Sequence, residues 1–276
     1  MTVNPPLAVS SWSLHRALGR SWPNRPDRDV VPTAEPTWGD GEITLFEFPA
    51  VVAALGIHRI EICSFHVESR DPTYLAALKA AIEKAGVTLQ TLLIEYGDPS
   101  DPATAARDLD WMERWIDAAA VLGAEKARVI AGKAKPTPEA LSRAAEGLNR
   151  LGSHGAAQGV AIVTENWFDL LATPADVDAL FSHLDGTIGL NGDFGNWSGS
   201  TKYDDLRAIF PRAVCCHAKG DFSSGALDTE DYGACLKAAT AAGFNGPYTL
   251  IYDGPDDDEL RHLAIERDFI RDYFAA

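Results

Sequence analysis

The 276-residue sequence predicts an α/β fold, a single closed (β/α)8 barrel spanning residues 1–276. Three observations predict it. Eight short β-prone stretches alternate with stretches of helical apolar spacing, the pattern of a parallel sheet with helical crossovers. The length suits one such barrel, which in a chain of typical size uses roughly 31 residues per unit. The structural alternative, an open doubly wound sheet, lacks its mark, because no Gly-rich dinucleotide fingerprint follows the first strand.

In chain order, Ala8 to Ser13 is a plausible first strand. It leads through Leu14, His15 and Arg16 into a long polar loop rich in Pro and Gly, about 17–42. Loops of this length in compact domains are usually lids or binding loops, or are disordered. Trp22 and Trp38 argue against plain disorder, so the loop is expected to fold over the mouth of the barrel. Leu45 to Leu55 has helical spacing and stops at Gly56; Ile60 to Cys63 alternates as the second strand. A helix over Tyr74 to Ala85 is closed by Gly86, and Thr88 to Ile94 is the third strand. The helix from Ala103 to Leu122 ends at Gly123, and Ala127 to Ile130 is the fourth strand. Thr137-Pro138-Glu139 opens the next helix with a cap and a first-turn proline. Ala161 to Val163, Thr187 to Leu190 and Ala213-Val214 are the fifth, sixth and seventh strands. Helices from Thr173, over Asp204 to Ile209 and over Glu230 to Ala242 follow them in turn. Tyr248 to Tyr252 is the eighth strand, and Asp258 to Phe274 the closing helix.

The composition, with 46% hydrophobic residues, supplies ample material for one large core. The formal net charge of -16 repels phosphate backbones and anionic membranes, so neither nucleic acid nor a membrane is expected as a partner. No run approaches about 18 apolar residues, the length of a membrane span. Met1 to Pro6 lacks the basic start and apolar run of a signal peptide. Cys63, Cys215, Cys216 and Cys235 show no metal-site spacing. They read as free, mostly buried thiols of a reducing compartment, which implies a cytoplasmic location.

Glu165, Asp193 and His217 each stand where a buried strand is expected to end. Glu165 and Asp193 are 28 positions apart, and Asp193 and His217 are 24 apart, which suits consecutive units. All three are therefore expected at one mouth of the barrel. Two carboxylates and an imidazole suit a divalent ion (Mn²⁺, Mg²⁺, Zn²⁺ or Fe²⁺) without choosing among them. Alone, Glu165 could be a solvated carboxylate, Asp193 a turn residue and His217 a core histidine.

In this order, several short motifs carry a resemblance. They are Gly56-Ile57 to Glu61, Val163-Thr164-Glu165-Asn166, Gly192-Asp193-Phe194-Gly195-Asn196, His217-Ala218-Lys219, and Gly243-Phe244-Asn245-Gly246-Pro247-Tyr248. With these marks the chain resembles the sugar phosphate isomerase/epimerase superfamily, with its xylose isomerase-like TIM barrel. The resemblance implies that Glu165, Asp193 and His217 bind one divalent metal. It also implies a fourth ligand, a Glu, where this chain has Ile251. Asp253 shares a strand face with Ile251 and is the candidate replacement. The ketose 3-epimerases of that superfamily carry a His soon after the sixth-strand Asp; here Phe194, Gly195, Asn196 and Trp197 stand there, which weakens that specific reading.

The function this implies is a divalent-metal-dependent isomerase, epimerase or lyase acting on a sugar, cyclitol or keto-polyol through an enediolate. The ion is Mn²⁺, Mg²⁺ or Zn²⁺. Glu165, or a nearby His such as His66, takes the proton, and Lys219 stabilises the developing oxyanion. His15 and Glu95 are further mouth candidates. Glu61, inside the second strand, needs a partner, for which Arg128 on the fourth is the candidate. Trp12, Trp167 and Trp197 are core plugs or sugar platforms. The alternative is a non-catalytic barrel that binds a sugar-like ligand, Ile251 having replaced the ligand. A nuclease does not fit seven His and a charge of -16. Self-association into a homo-oligomer is possible.

Overall fold

Eight parallel strands close into a barrel in the order of the sequence in the computed structural model, which describes residues 4–275. Residues 1–3, part of the N-terminal stretch expected to lack a signal peptide, and residue 276 lie outside the described residues. The elements are β1 (Leu7–Ser10), α1 (His15–Leu18), α2 (Phe48–Ala54), β2 (Arg59–Cys63), α3 (Pro72–Lys84), β3 (Thr88–Leu93), α4 (Ala105–Leu122) and β4 (Lys126–Arg128). They continue with α5 (Pro138–Gln158), β5 (Ala161–Glu165), α6 (Pro174–Phe181), β6 (Ile188–Asp193), α7 (Lys202–Ile209), β7 (Ala213–Lys219), α8 (Thr229–Ala241), β8 (Tyr248–Ile251) and α9 (Glu259–Ala275). Among the described residues no helix is long and apolar enough to cross a membrane. All four cysteines are free and buried.

Local chemistry sets the helix ends. The Thr137 hydroxyl accepts the Ala140 amide at the start of α5, and Thr173 and Asp176 form a reciprocal capping box on α6. Strand ends depart from expectation in a consistent way. β5, β6 and β7 run on through Glu165, Asp193 and Lys219 instead of stopping before them. The parallel ladder does not depend on side-chain polarity, so polar residues aimed into the barrel continue the strand. β1 is shorter than expected because the Ser10 hydroxyl accepts the Trp12 amide and turns the chain into a 3-10 turn over Ser11–Leu14.

The core lies between the sheet and the helices, with Trp111 and Trp115 of α4 among its largest fully buried side chains. A buried polar network crosses the barrel interior. Glu61 accepts bonds from Gln90 Nε2 and Thr91 Oγ1, and Gln90 also reaches Thr249.

The loop after α1 is built as a closed excursion. Its two ends meet at Gly19 and Gly41, where a Cβ on Gly19 would lie 2.1 Å from the Gly41 nitrogen. Both glycines have left-handed φ, 69° and 77°. Ser21 and Glu35 exchange backbone hydrogen bonds across the loop, and the Trp22 amide donates to the Phe65 carbonyl. Asn24 pins the loop to α4: its Oδ1 accepts both indole N–H groups, of Trp111 at 2.7 Å and Trp115 at 3.3 Å. Trp38 packs against Trp12, His15, Phe65 and His66. The loop therefore covers the first- and second-strand side of the mouth.

Replacing Asn24 by Ala leaves two buried indole donors without an acceptor. We expect a loss of about 1–3 kcal/mol, read as a lower urea midpoint, because the desolvation penalty of unpaired donors is not returned. A second expectation concerns Glu266 of α9, fully buried, with Oε1 accepting the Gly220 amide at 3.0 Å. Burial pushes its carboxyl well above the ordinary 4.5. The unfolded chain ionises first as pH rises, so this group costs stability increasingly above that value. Glu266→Gln should be close to neutral near about pH 4 and increasingly stabilising toward about pH 8 in denaturant titrations.

Candidate active site

The last residues of all eight strands, Ser10, Cys63, Leu93, Arg128, Glu165, Asp193, Lys219 and Ile251, line one cavity of about 260 Å³. It opens at the C-terminal face, where barrels of this kind place their chemistry. Trp12, Phe65, Glu95, Trp167, Asn196 and Asp253 complete its wall beside His217.

Strand register brings three of the expected residues together. Asp193 pairs with His217 across β6 and β7, and Glu165 pairs with Asn191 across β5 and β6. Glu165, Asp193 and His217 are buried and each offers a ligand atom within 4.8 Å of the others, so the group could hold a metal ion. His217 Nδ1 is 3.4 Å from Glu165 Oε2 and 3.5 Å from Asp193 Oδ2. The remaining atoms are tied down. Asp193 Oδ1 accepts the amides of Gly195 and Asn196 at 2.6 and 2.8 Å. Glu165 Oε1 accepts Asn196 Nδ2 at 2.7 Å, and Oε2 accepts Asn191 Nδ2 at 3.0 Å. Asn166 clamps the Asp193 backbone at both its N–H and its C=O.

His217 Nε2 donates to Glu61 Oε2 at 2.9 Å. A carboxylate behind a ligating imidazole fixes its tautomer and orientation, here leaving Nδ1 for an ion. The donor set thus fits a divalent metal. Burial alone would lower the His217 pKa, but the carboxylates of Glu165 and Glu61 outweigh it and hold the ring well above its ordinary value. Burial likewise opposes the charge on Glu61, yet His217, Gln90 and Thr91 keep its carboxyl below the ordinary value. For Glu165 burial prevails and raises the pKa, against the pull of His217 and Arg128.

The expected Glu61–Arg128 pair does not form. Glu61 is level with Thr91, whereas Arg128 is level with Leu93, two residues nearer the mouth. Arg128 instead spans Glu95 at 2.6 Å and Glu165 at 3.4 Å, 5.2 Å from the Trp167 ring centre. Burial opposes its charge, but the two carboxylates raise its pKa above the ordinary value.

The other candidates divide. Lys219 and Asp253 are on the cavity wall and bond each other at 2.8 Å; Asp253 is outside the group converging on a metal position. Ile251 lies level with Lys219 and makes the eighth-strand wall apolar. His66 is not on this wall. It is buried, with Nδ1 2.8 Å from Ser11 Oγ, and burial, then the nearby His15, lower its pKa to about 3. His15 is also buried elsewhere, with Nδ1 donating to the Trp12 carbonyl at 2.7 Å. Trp12 and Trp167 face the cavity, while Trp197 is anchored by its indole N–H to the Leu171 carbonyl. Sequence reasoning missed the roles of Asn191 and Asn196. A polar residue inside the buried sixth strand was the available signal for the first.

Fold and site together define an eight-stranded barrel with a two-carboxylate, one-imidazole centre at the strand ends. The chain matches the family model described as xylose isomerase-like TIM barrel over residues 49–273, and it belongs to that family. Among solved structures it is similar to a xylose isomerase-like TIM barrel protein from Mycobacterium smegmatis in complex with magnesium. That match has 19% identity, covers 99% of this chain and 97% of that one, and has a TM-score of 0.69. It is also similar to L-ribulose 3-epimerase (18% identity, 98% and 95% covered, TM-score 0.71). A third similar structure is D-allulose 3-epimerase from Methylomonas sp. in complex with D-allulose (16%, 98% and 97%, 0.68). At such identities the likeness carries the fold. No curated protein matches the chain.

Glu61→Gln should lower the affinity for Mn²⁺ or Zn²⁺ by about 10–100-fold in competition with a chelating dye while the folded spectrum is kept. An unchanged affinity would remove Glu61 from the support of His217.

Proposed function

We propose that the protein is a divalent-metal-dependent isomerase, epimerase or lyase acting on a small sugar, cyclitol or keto-polyol through an enediolate. The observation that carries this reading is the convergence of Glu165, Asp193 and His217 inside a cavity walled by Trp12 and Trp167. Glu165, Asp193 and His217 would hold the ion, which supplies Lewis acidity toward a carbonyl and its neighbouring hydroxyl. The epimerase names among the similar structures support the same substrate class.

The chain's own groups have distinct parts. Glu165 is the proton acceptor: it lies on the cavity wall, and burial raises its affinity for a proton. Neither His15 nor His66 lines the cavity, and the histidine that does, His217, has its ring between Glu61 and the metal position, which leaves Glu165 as the proton acceptor. Lys219 faces the same space and offers positive charge to an oxyanion. Trp12 and Trp167 give apolar faces to the C–H surface of a polyol and help exclude water. With Ile251 on the eighth strand, a second carboxylate opposite Glu165 is missing at that position, so one-base isomerisation or elimination suits the wall better than two-base epimerisation. Four free, buried thiols suit a reducing compartment such as the cytoplasm.

Ile251 also favours a second reading, a barrel that binds a sugar-like ligand without turnover. Elemental analysis beside a polyol panel separates the two. We expect about one divalent ion per chain, with Asp253→Asn keeping it because that carboxylate lies outside the converging group of Glu165, Asp193 and His217. Loss of the ion in Asp253→Asn would restore Asp253 as a ligand. Glu165→Gln should lower turnover at least about 100-fold and abolish deuterium uptake from D₂O into the substrate. Stoichiometric metal without turnover on any panel member would favour the second reading.

A further inference from the structure

The Lys219–Asp253 pair is shared by two cavities. One is the cavity of the Glu165–Asp193–His217 group. The other, of about 310 Å³, shares Lys219 and Asp253 with it and is otherwise walled by Trp197, Phe222, Ser198, Ser223, Asp221 and Lys202. The two are of similar size, so a unit that fits the first by volume is accommodated by the second. The two residues common to both walls form an ion pair 2.8 Å long, with side chains 31% and 34% exposed. A pair so open to solvent holds weakly and can part for a ligand. Gly195 lies beside it: a Cβ there would be 2.7 Å from Lys219 Cδ. The lysine stem therefore lies flat against the backbone between the two spaces.

The chemistry of the second wall selects its occupant. Ser198, Ser223 and Asp221 present hydroxyl and carboxylate groups, with the buried rings of Trp197 and Phe222 closing the floor behind them. Hydroxyls and a carboxylate converging over a closed floor suit the hydroxyl groups of a sugar ring. A phosphate is disfavoured. Asp221, Asp231 and Asp253 outnumber Lys202 and Lys219 on this wall. Both lysines are already matched, Lys202 to the two oxygens of Asp231 at 2.7 and 2.8 Å and Lys219 to Asp253.

We propose that this second cavity is a glycosyl subsite, so that the substrate is a keto-sugar carrying a second sugar ring. The keto unit sits over the Glu165–Asp193–His217 group and the attached ring passes the Lys219–Asp253 pair to lie between Trp197 and Ser223. The inference rests on the reading of the first cavity as a keto-polyol site.

Calorimetry on Mn²⁺-loaded protein tests it with a panel of free ketoses and their glucosides, such as D-fructose beside isomaltulose and D-allulose beside its 6-O-glucoside. A glucoside should bind at least about tenfold more tightly than its free ketose. Ser223→Trp and Ser198→Trp, both at exposed loop positions, should abolish that preference and leave the free ketose within about twofold of wild type. If free ketoses bind and no glucoside binds more tightly, or if both variants keep the preference, the subsite is overturned while the reading of the first cavity stands. If no member of the panel binds, both fall together.

Discussion

Four carboxylates sit in and just below the mouth of the barrel with too few cations around them, and much of the mouth is arranged to bear that excess. Glu61, Glu165 and Asp193 are buried, and Glu95 is nearly so, while Arg128 and His217 are the cations among them. Even with His217 protonated, two negative charges remain uncompensated. A buried charge without a partner is costly, so each carboxylate oxygen must find a donor. The asparagines do this. Asn191 and Asn196 donate to Glu165, and Asn166 holds the backbone of Asp193 in place to receive two amides. Putting a divalent ion where the His217 proton sits reduces the excess by one charge. The same surplus that would destabilise a bare core favours capture of a cation.

That surplus is unevenly spread. From β4 round to β7 the cavity wall is charged and heavily cross-bonded. From β8 through β1 to β2 it is Ile251, Trp12, Cys63 and Phe65, roofed by Trp38 from the long loop. A ligand in this cavity meets fixed polar groups on one flank and apolar surface on the other. Lys219 and Asp253 stand at the seam, paired with each other and partly wet.

The barrel was legible because its signals are local and repeated: eight apolar runs, glycine stops after helices, and caps such as Thr137 and Thr173. The convergence of Glu165, Asp193 and His217 was legible from unit spacing. Partner choice inside the barrel was not. Glu61 finds His217 rather than Arg128 because the register places Arg128 two residues closer to the mouth, and two residues along a strand are about 6.6 Å. Register across four strands has no trace in the spacing of any one segment. His66 failed to reach the cavity for a related reason: the turn after β2 sends Phe65 to the wall and His66 behind it, against Ser11. The full extent of β5 to β7 was hidden too, since polar strand residues read as the start of a loop until their barrel-facing direction is known.

The pinch at Gly19 and Gly41 makes the roof a cassette. Its two ends emerge from nearly one point on the barrel, so the segment between them can change length or sequence without moving α1 or α2. Added length in such a closed excursion costs little entropy, since the cost grows only with the logarithm of its size. Its ties to the body are specific side-chain contacts: Asn24 on the two indoles of α4, Asp29 on Arg70 and Arg114, Arg25 over Tyr96, and Trp38 in the aromatic cluster. Lineages of this barrel could therefore exchange roofs, and with them the apolar flank that a ligand meets, while the charged flank and its carboxylates stay untouched.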